Sequence, residues 1–489
     1  MNRLLLIYSS ILFCLLSCRE GLPKSSLVDE QPVIFPDYIE VTIPPNIAPL
    51  NFKIEKSLPA FALFQWAEKT FRVDASNGSF DIPVRDWKKL LQNATGDSIR
   101  VIIYMNESGK WFQYKPFSIY VATQSIDPWL AYRRIAPGYR MWGQMGIYQR
   151  CLENFTEKTI LNNKLTDDGC MNCHSFCMQD PERMLFHQRS SFSGTYFVMN
   201  GEIKRLSPQF KGGGKIPTLV YPFWHPSGRY VVFSTNDTHQ DFHLTDPNRI
   251  EVFDDSSDVI LYDVKKNELF STPLLCSKEN LETFPTFSPD GKRLFFCSAS
   301  STSMPDHYRE MKYNLVSLAF DPDTRLFGTE VDTLYNAISE GRSAKFPRIS
   351  PDGKYLMYTL SDYGNFSIWH KDADLKLLDL QTFVVDSLPN ANSENVESYH
   401  SWSSNSHWFV FSSRRIDGLY TRPYLCYLDE KGKAAKAFLL PQKDPDYYVY
   451  SLFSFNIPEL IRNEVKIETY DLVRYMRKRV GKENTSTLH

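Results

Sequence analysis

Apolar and polar positions alternate along this chain in many short runs, which is the pattern of β-strands. From Tyr38 to Val121 the alternation has a period of two, and turn sequences such as Asn77-Gly78 separate the runs. We therefore predict a small β-sandwich over residues 33–125. Near the other end, residues 458–489 place apolar side chains at helical spacing and finish in basic residues, which predicts a C-terminal helix.

A turn followed by an apolar strand recurs in the second half of the chain. The turn is Ser288-Pro289-Asp290-Gly291 in one copy and Ser350-Pro351-Asp352-Gly353 in the next, with His225-Pro226-Ser227-Gly228 before them and a degenerate Ser404-Asn405-Ser406 after them. Proline and Asp-Gly suit the turn, and the strand that follows is apolar enough to be buried. Repeated sheets of this kind form β-propellers, so we predict a mainly β protein with a propeller of five or six blades over residues 190–457.

One short motif indicates a cofactor. Cys170 and Cys173, followed directly by His174, have the spacing at which a c-type haem is attached covalently. Two thiols at this spacing bond to the two vinyl groups of one porphyrin, and the adjacent imidazole faces the iron. We therefore predict one haem c, held by these three residues, in a segment of residues 126–189 that connects the sandwich to the propeller.

Other interpretations of the same motif remain open. Cys177 extends it to four candidate zinc ligands within eight residues, so zinc is the alternative metal. A redox disulfide between Cys170 and Cys173 is less consistent with the polar, loop-like flanks. For the second axial ligand of a haem iron, His187 is our first choice because a short loop could bring it over the ring. Met178, Met184 and the pair His239 and His243 are the other candidates.

The start of the chain predicts an exported lipoprotein. Arg3 precedes an apolar run over residues 4–17, and Leu15-Leu16-Ser17-Cys18 resembles a bacterial lipobox. The resemblance implies removal of residues 1–17 as a signal peptide and lipid attachment at Cys18. Residues 18–32 would then be a polar tether. We expect the mature protein in the bacterial cell envelope, facing the periplasm or on the outer-membrane surface.

Two further resemblances cover most of the chain. The repeated turns resemble the TolB-like β-propeller family, a WD-like architecture. Together with the lipobox, the Cys-Met-Asn-Cys-His-Ser-Phe segment, Asn365-Phe-Ser-Ile-Trp-His370 and Ser412-Ser-Arg-Arg415, they resemble haem-motif propeller lipoproteins of Bacteroides-type bacteria. This resemblance implies an envelope location and a TolB-like scaffold.

Composition narrows the possible functions. The chain has 55 basic and 57 acidic residues, a net charge of −2, which argues against a nucleic-acid-binding protein. Neither a nucleophile elbow nor a phosphate-binding loop is evident, so hydrolase activity is unsupported. We expect an electron-transfer lipoprotein whose propeller docks a redox or envelope partner. The alternatives are a TolB-like interaction scaffold and a peroxidase-like haem enzyme or sensor with an open iron.

Overall fold

The computed structural model describes residues 21–136, 143–207 and 218–486. The predicted signal peptide and its lipidation residue Cys18 lie outside these ranges. Within them, no helix combines the length and apolar character needed to cross a membrane.

Two sheets and a helix form the N-terminal part of the protein. One sheet has seven strands and the order β1-β9-β8-β10-β3, with β5 and β6 joined to it through β8, and the other has the order β2-β4-β7. The strands are β1 Ser25–Val28, β2 Ile34–Phe35, β3 Thr42–Ile43, β4 Phe52–Ile54, β5 Ala60–Trp66, β6 Lys69–Asp74, β7 Ser79–Phe80, β8 Ser98–Glu107, β9 Lys110–Tyr114 and β10 Phe117–Val121. Helix α1, Val84–Ala94, buries Trp87, Leu90, Leu91 and Ala94, whose spacing places them on one face.

The remaining strands build a series of four-stranded antiparallel sheets. They are β11 Trp129–Ile135, β12 Met145–Cys151, β13 Glu157–Asn162, β14 Met171–Phe176, β15 Arg183–Gln188, β16 Gly194–Met199, β17 Glu202–Arg205, β18 Leu219–Trp224, β19 Tyr230–Phe242, β20 Ile250–Asp263, β21 Glu268–Phe270, β22 Asn280–Phe287, β23 Arg293–Ser300, β24 Asn314–Asp321, β25 Leu326–Tyr335, β26 Ser343–Ile349, β27 Tyr355–Ser361, β28 Asp374–Asp379, β29 Val385–Asp386, β30 Glu397–Trp402, β31 Trp408–Ser413, β32 Arg422–Tyr427, β33 Phe438–Leu439 and β34 Ser454–Ile461.

Across the described ranges these strands make six such sheets, numbered here I to VI. Sheets II to VI are each built from consecutive strands, β14–β17, β18–β21, β22–β25, β26–β29 and β30–β33. Sheet I combines β11, β12 and β13 with the late strand β34, in the order β13-β12-β11-β34. The inner strands β14, β18, β22, β26, β30 and β34 contact one another in that order, and β34 contacts β14 again. This closed ring of sheets is a propeller-like fold.

The structure differs from the predicted boundaries at both ends of the repeat. Residues 126–189, expected to connect two domains, contribute β11–β13 to sheet I and β14 and β15 to sheet II. The predicted helix from Pro458 begins later, because β34 occupies Ser454–Ile461 and closes sheet I. The helices that follow sheet VI are the short α2, Tyr447–Tyr450, and α3, Thr469–Ser486, whose Leu472, Val473 and Met476 are buried near Ile160 and Leu161.

Candidate functional site

Each of the six inner strands contains the same irregularity. The pairing register shifts by a β-bulge in every inner strand, and one residue at each bulge has a positive φ between 48° and 52°. The residues are Cys173, Tyr221, Phe284, Phe346, Tyr399 and Ile457. Positive φ is uncommon for residues with a side chain, so its recurrence marks six equivalent positions. Cys173 is therefore one member of a structural repeat.

The residue that follows each positive-φ residue supports the equivalence of the six positions. It is proline in four strands, Pro222, Pro285, Pro347 and Pro458, and histidine in the other two, His174 and His400. The sequence carried this signal, since Phe284-Pro-Thr-Phe-Ser288, Tyr399-His-Ser-Trp-Ser403 and Cys173-His-Ser-Phe-Cys177 are copies of one pattern. The repeat predicted from the sequence starts at the later Ser-Pro-Asp-Gly turn, so it did not include the inner strand.

The bulge residues close the axis of the ring. The rings of Phe284 and Phe346 are 3.9 Å apart between centroids, Tyr221 lies 4.4 Å from Phe284, and Tyr399 lies 5.0 Å from Phe346. Together with Cys173 and Ile457, these four aromatic residues form what we name the plug. The plug separates the end of the axis where the inner strands begin from the end where their Pro-Asp-Gly turns lie.

The haem prediction is wrong. Cys173 is 6% exposed and His174 is 2% exposed, and both belong to the inner strand of sheet II. The cavity beside His174 has a volume of about 50 Å³, whereas pockets for larger ligands measure about 300–1,000 Å³. Burial, followed by the nearby charge of Arg133, lowers the pKa of His174 to about 3. Cys170 precedes the strand and is partly exposed, so the three residues do not frame a porphyrin.

The zinc alternative and the second axial ligand are corrected as well. In the three described ranges, no group of three or more His, Cys, Asp or Glu side chains is arranged to hold a metal ion. Cys170 packs in the apolar cluster of sheets I and II, whereas Cys177 packs in a different cluster with Leu185 and Trp224. His187, on β15, places its Nδ1 3.1 Å from Thr195 Oγ1, and burial lowers its pKa to about 4.

Three arginines gather at the end of the axis where the inner strands begin. Arg133 pairs with Asn456 of β34, the backbone N–H of Arg189 donates to the Cys170 carbonyl, and the N–H of Arg414 donates to the Val396 carbonyl. These contacts place one arginine beside the start of each of three neighbouring inner strands, β34, β14 and β30. We name Arg133, Arg189 and Arg414 the arginine mouth.

The arginine mouth is not neutralised by the described part of the chain. No carboxylate there lies within ion-pairing distance of any of the three guanidinium groups. Arg414 is 4% exposed, stacks its guanidinium 3.4 Å from the centroid of the Trp369 ring, and has a buried Nε without a hydrogen-bond partner. Burial lowers its pKa to about 9, with Tyr399 and Asp417 opposing that change. Asp417 itself pairs with Arg422 at 3.6 Å.

The acidic side chains on the long hairpin of β19 and β20 in sheet III belong to a separate hydrogen-bond network. Glu251 accepts hydrogen bonds from His243 and His370 at 3.2 and 3.3 Å. Asp254 accepts from Asn236 at 3.1 Å and from Tyr313 at 3.2 Å, and burial raises its pKa to about 7. Asp254 accepts these bonds through Oδ2, and its Oδ1 has no partner among the described residues, but neither carboxylate forms an ion pair with the arginine mouth. The network also explains the His239 and His243 pair, since His239 contacts Asp255 at 2.9 Å.

Comparisons with known proteins complete the description. No protein-family model matches the sequence, and no curated protein matches it. Among solved structures, the chain is similar to an oligogalacturonate lyase in complex with manganese, at 11% identity and a TM-score of 0.35, over 62% of this chain and 83% of that chain. A DUF4784 family protein from Bacteroides caccae is 8% identical with a TM-score of 0.31, over 74% of this chain and 96% of that chain. Porphyromonas gingivalis dipeptidyl peptidase 4 is 9% identical with a TM-score of 0.31, over 83% of this chain and 52% of that chain.

The last of these matches spans about half of the other protein's length. All three TM-scores are below 0.5; the strand pairing defines the fold, and the residues of this chain define the candidate site. Sequence reasoning missed the arginine mouth. Arg414 lies in the segment Ser412-Ser-Arg-Arg415, and nothing in the sequence links it to Arg133 or Arg189.

Proposed function

We propose that this chain is an envelope lipoprotein in which a six-bladed β-propeller acts as an interaction scaffold. In this proposal sheets I to VI are the blades, the N-terminal sheets form a β-sandwich, and lipid on Cys18 anchors the mature protein. The arginine mouth receives a carboxylate or another anionic group of the partner. Electron transfer and haem catalysis are not proposed, because the residues expected to hold haem do not fit it.

The observation that supports this proposal is the buried, unpaired guanidinium of Arg414. A buried charge without a partner costs several kcal/mol, and an incoming anion removes that cost by forming charge-assisted hydrogen bonds. Arg133 has a buried Nε without a partner among the described residues, and Arg189 is exposed at the rim. Three guanidinium groups beside the starts of neighbouring inner strands therefore offer a cationic, multidentate site for an acidic group.

The test uses the mature chain and a short acidic peptide, hexaglutamate, as the probe. We expect hexaglutamate to bind the wild type, with hexalysine as the negative control, in calorimetric titrations at low ionic strength. Arg414→Gln should weaken binding by about 30-fold or more, because truncating one partner of a buried charge pair costs about 2–5 kcal/mol. Arg85→Gln, an exposed arginine on α1, is the matched control. Equal affinity in Arg414→Gln and Arg85→Gln would contradict the proposal.

A further inference from the structure

A second site lies on the opposite side of the plug from the arginine mouth. Two adjoining cavities of about 50 and about 60 Å³ follow the axis toward the Pro-Asp-Gly turns. Both are lined by Arg348, Ser401 and Glu459. We name this joint space the axial cavity. Its inner part is bounded by plug residues and by His174, and its outer part by Trp402 and the turn prolines.

A basic and an acidic side chain face the axial cavity without forming an ion pair. Arg348 and Glu459 occupy equivalent positions, two residues after the bulge, on β26 and β34. No ion pair joins them within the part of the chain that the structure describes. Arg348 donates to the Pro347 carbonyl at 2.9 Å, and Glu459 Oε1 accepts from the Phe176 N–H at 3.4 Å. Both side chains therefore keep hydrogen-bonding capacity for a third group.

Buried polar atoms without hydrogen-bond partners lie at the axial cavity. In the described chain, Glu459 Oε2 is buried without a hydrogen-bond partner, and so are both ring nitrogens of His174, a residue that is 2% exposed. Buried polar atoms are nearly always hydrogen-bonded, so a group of them around one cavity indicates a polar occupant.

The volume of the axial cavity limits the size of a ligand that it can hold. A space of about 10–15 Å³ on this measure admits one water molecule, so the axial cavity admits a solute of only a few non-hydrogen atoms. A simple anion would pair with Arg348 and leave the buried Glu459 Oε2 without a hydrogen-bond partner, which is costly. A solute with a carboxylate and an ammonium group bonded to the same carbon atom satisfies both side chains.

We propose that the axial cavity binds a small α-amino acid, of the size of glycine or alanine. The carboxylate of the ligand pairs with Arg348, its ammonium group donates a hydrogen bond to the unpartnered Oε2 of Glu459, and His174 contributes a further hydrogen bond. The site is separated from the arginine mouth by the plug, so this proposal does not rest on the proposed function. Entry is from the turn side, where Pro226, Pro289 and Pro351 line the outer part of the cavity.

Calorimetric titration of the mature protein tests the proposal. Glycine and L-alanine are the expected ligands, and acetate and methylammonium each carry one of the two charges. We expect glycine to bind at least about tenfold more tightly than either single ion, because it makes both the ion pair with Arg348 and the charge-assisted hydrogen bond to Glu459, and each contributes more than about 1.4 kcal/mol. Absence of glycine and alanine binding, or equal binding of acetate and glycine, overturns the proposal.

Variants separate the two walls and the two sites. Arg348→Met should abolish glycine binding, and Glu459→Gln should weaken glycine binding while leaving acetate binding unchanged. Arg348→Gln removes the charge but keeps a polar side chain, and serves as the second variant should Arg348→Met fail to fold. Arg414→Gln, on the other side of the plug, should bind glycine as the wild type does. Unchanged glycine affinity in the folded Arg348 variants would refute the assignment, whatever the result with hexaglutamate.

Discussion

Ser404→Pro restores the repeat consensus and should nevertheless destabilise the protein. In the other turns a proline stands at this position, as Pro226, Pro289 and Pro351. Ser404 differs because its backbone N–H donates to Asp127 Oδ2 at 2.7 Å and its hydroxyl donates to Asp127 Oδ1 at 2.6 Å. Asp127 is 7% exposed and lies in the segment that joins the N-terminal sheets to sheet I. Proline removes both donors.

The expected loss follows from those two hydrogen bonds. Hydrogen bonds to a charged group contribute about 1.5–3 kcal/mol each, and a compatible proline returns about 0.4–1 kcal/mol through the unfolded state. We therefore expect Ser404→Pro to cost about 2–5 kcal/mol, since Ser403 Oγ, at 3.0 Å, remains a donor to the carboxylate. Ser404→Ala keeps the N–H and should cost about half as much.

Thermal unfolding followed by circular dichroism measures the change, with limited proteolysis near residues 124–127 reporting local release of the segment. Pro351→Ser is the matched control, because it makes the reverse exchange in a turn that does not contact Asp127. In an Asp127→Ala background, Ser404→Pro should lose most of its effect. A Tm for Ser404→Pro equal to or above that of the wild type would refute the role given to Asp127.

Three further predictions concern single groups. Burial raises the pKa of Glu459 from 4.5 to about 8. The stability that protonated Glu459 contributes is therefore complete below pH 4.5 and lost as the pH rises through 8. Between these values Glu459→Gln should remove a slope of about 1.4 kcal/mol per pH unit from the free energy of unfolding measured with urea. His187→Ala should cost about 1–3 kcal/mol in the same assay, because it removes a buried ring and leaves the buried Thr195 hydroxyl without its partner, and a cost near zero would contradict these contacts. Iodoacetamide should modify the exposed Cys276 before the buried Cys173, as mass spectrometry of digests would show, and the reverse order would contradict the burial of Cys173.

Local patterns determined the strands and turns of this protein. Alternation with a period of two follows from the geometry of a strand that is buried on one face, and Ser-Pro-Asp-Gly has the backbone preferences of a tight turn. Both signals depend on neighbours in the sequence, and the structure confirms strands after the turns at residues 228, 291 and 353. The strand content and the propeller-like fold are therefore predictable from the amino-acid sequence alone.

Ring closure and the sites needed the tertiary structure. The role of β34 depends on its pairing with β11, more than 300 residues earlier in the chain, and helical spacing after Pro458 concealed it. Cys170-x-x-Cys173-His174 has the spacing of a haem motif, but spacing alone does not determine the direction of side chains. In the structure Cys173 and His174 belong to the inner strand β14, with a bulge at Cys173. The arginine mouth and the axial cavity join residues from distant sheets, because the ring brings the starts and ends of all its inner strands to one axis.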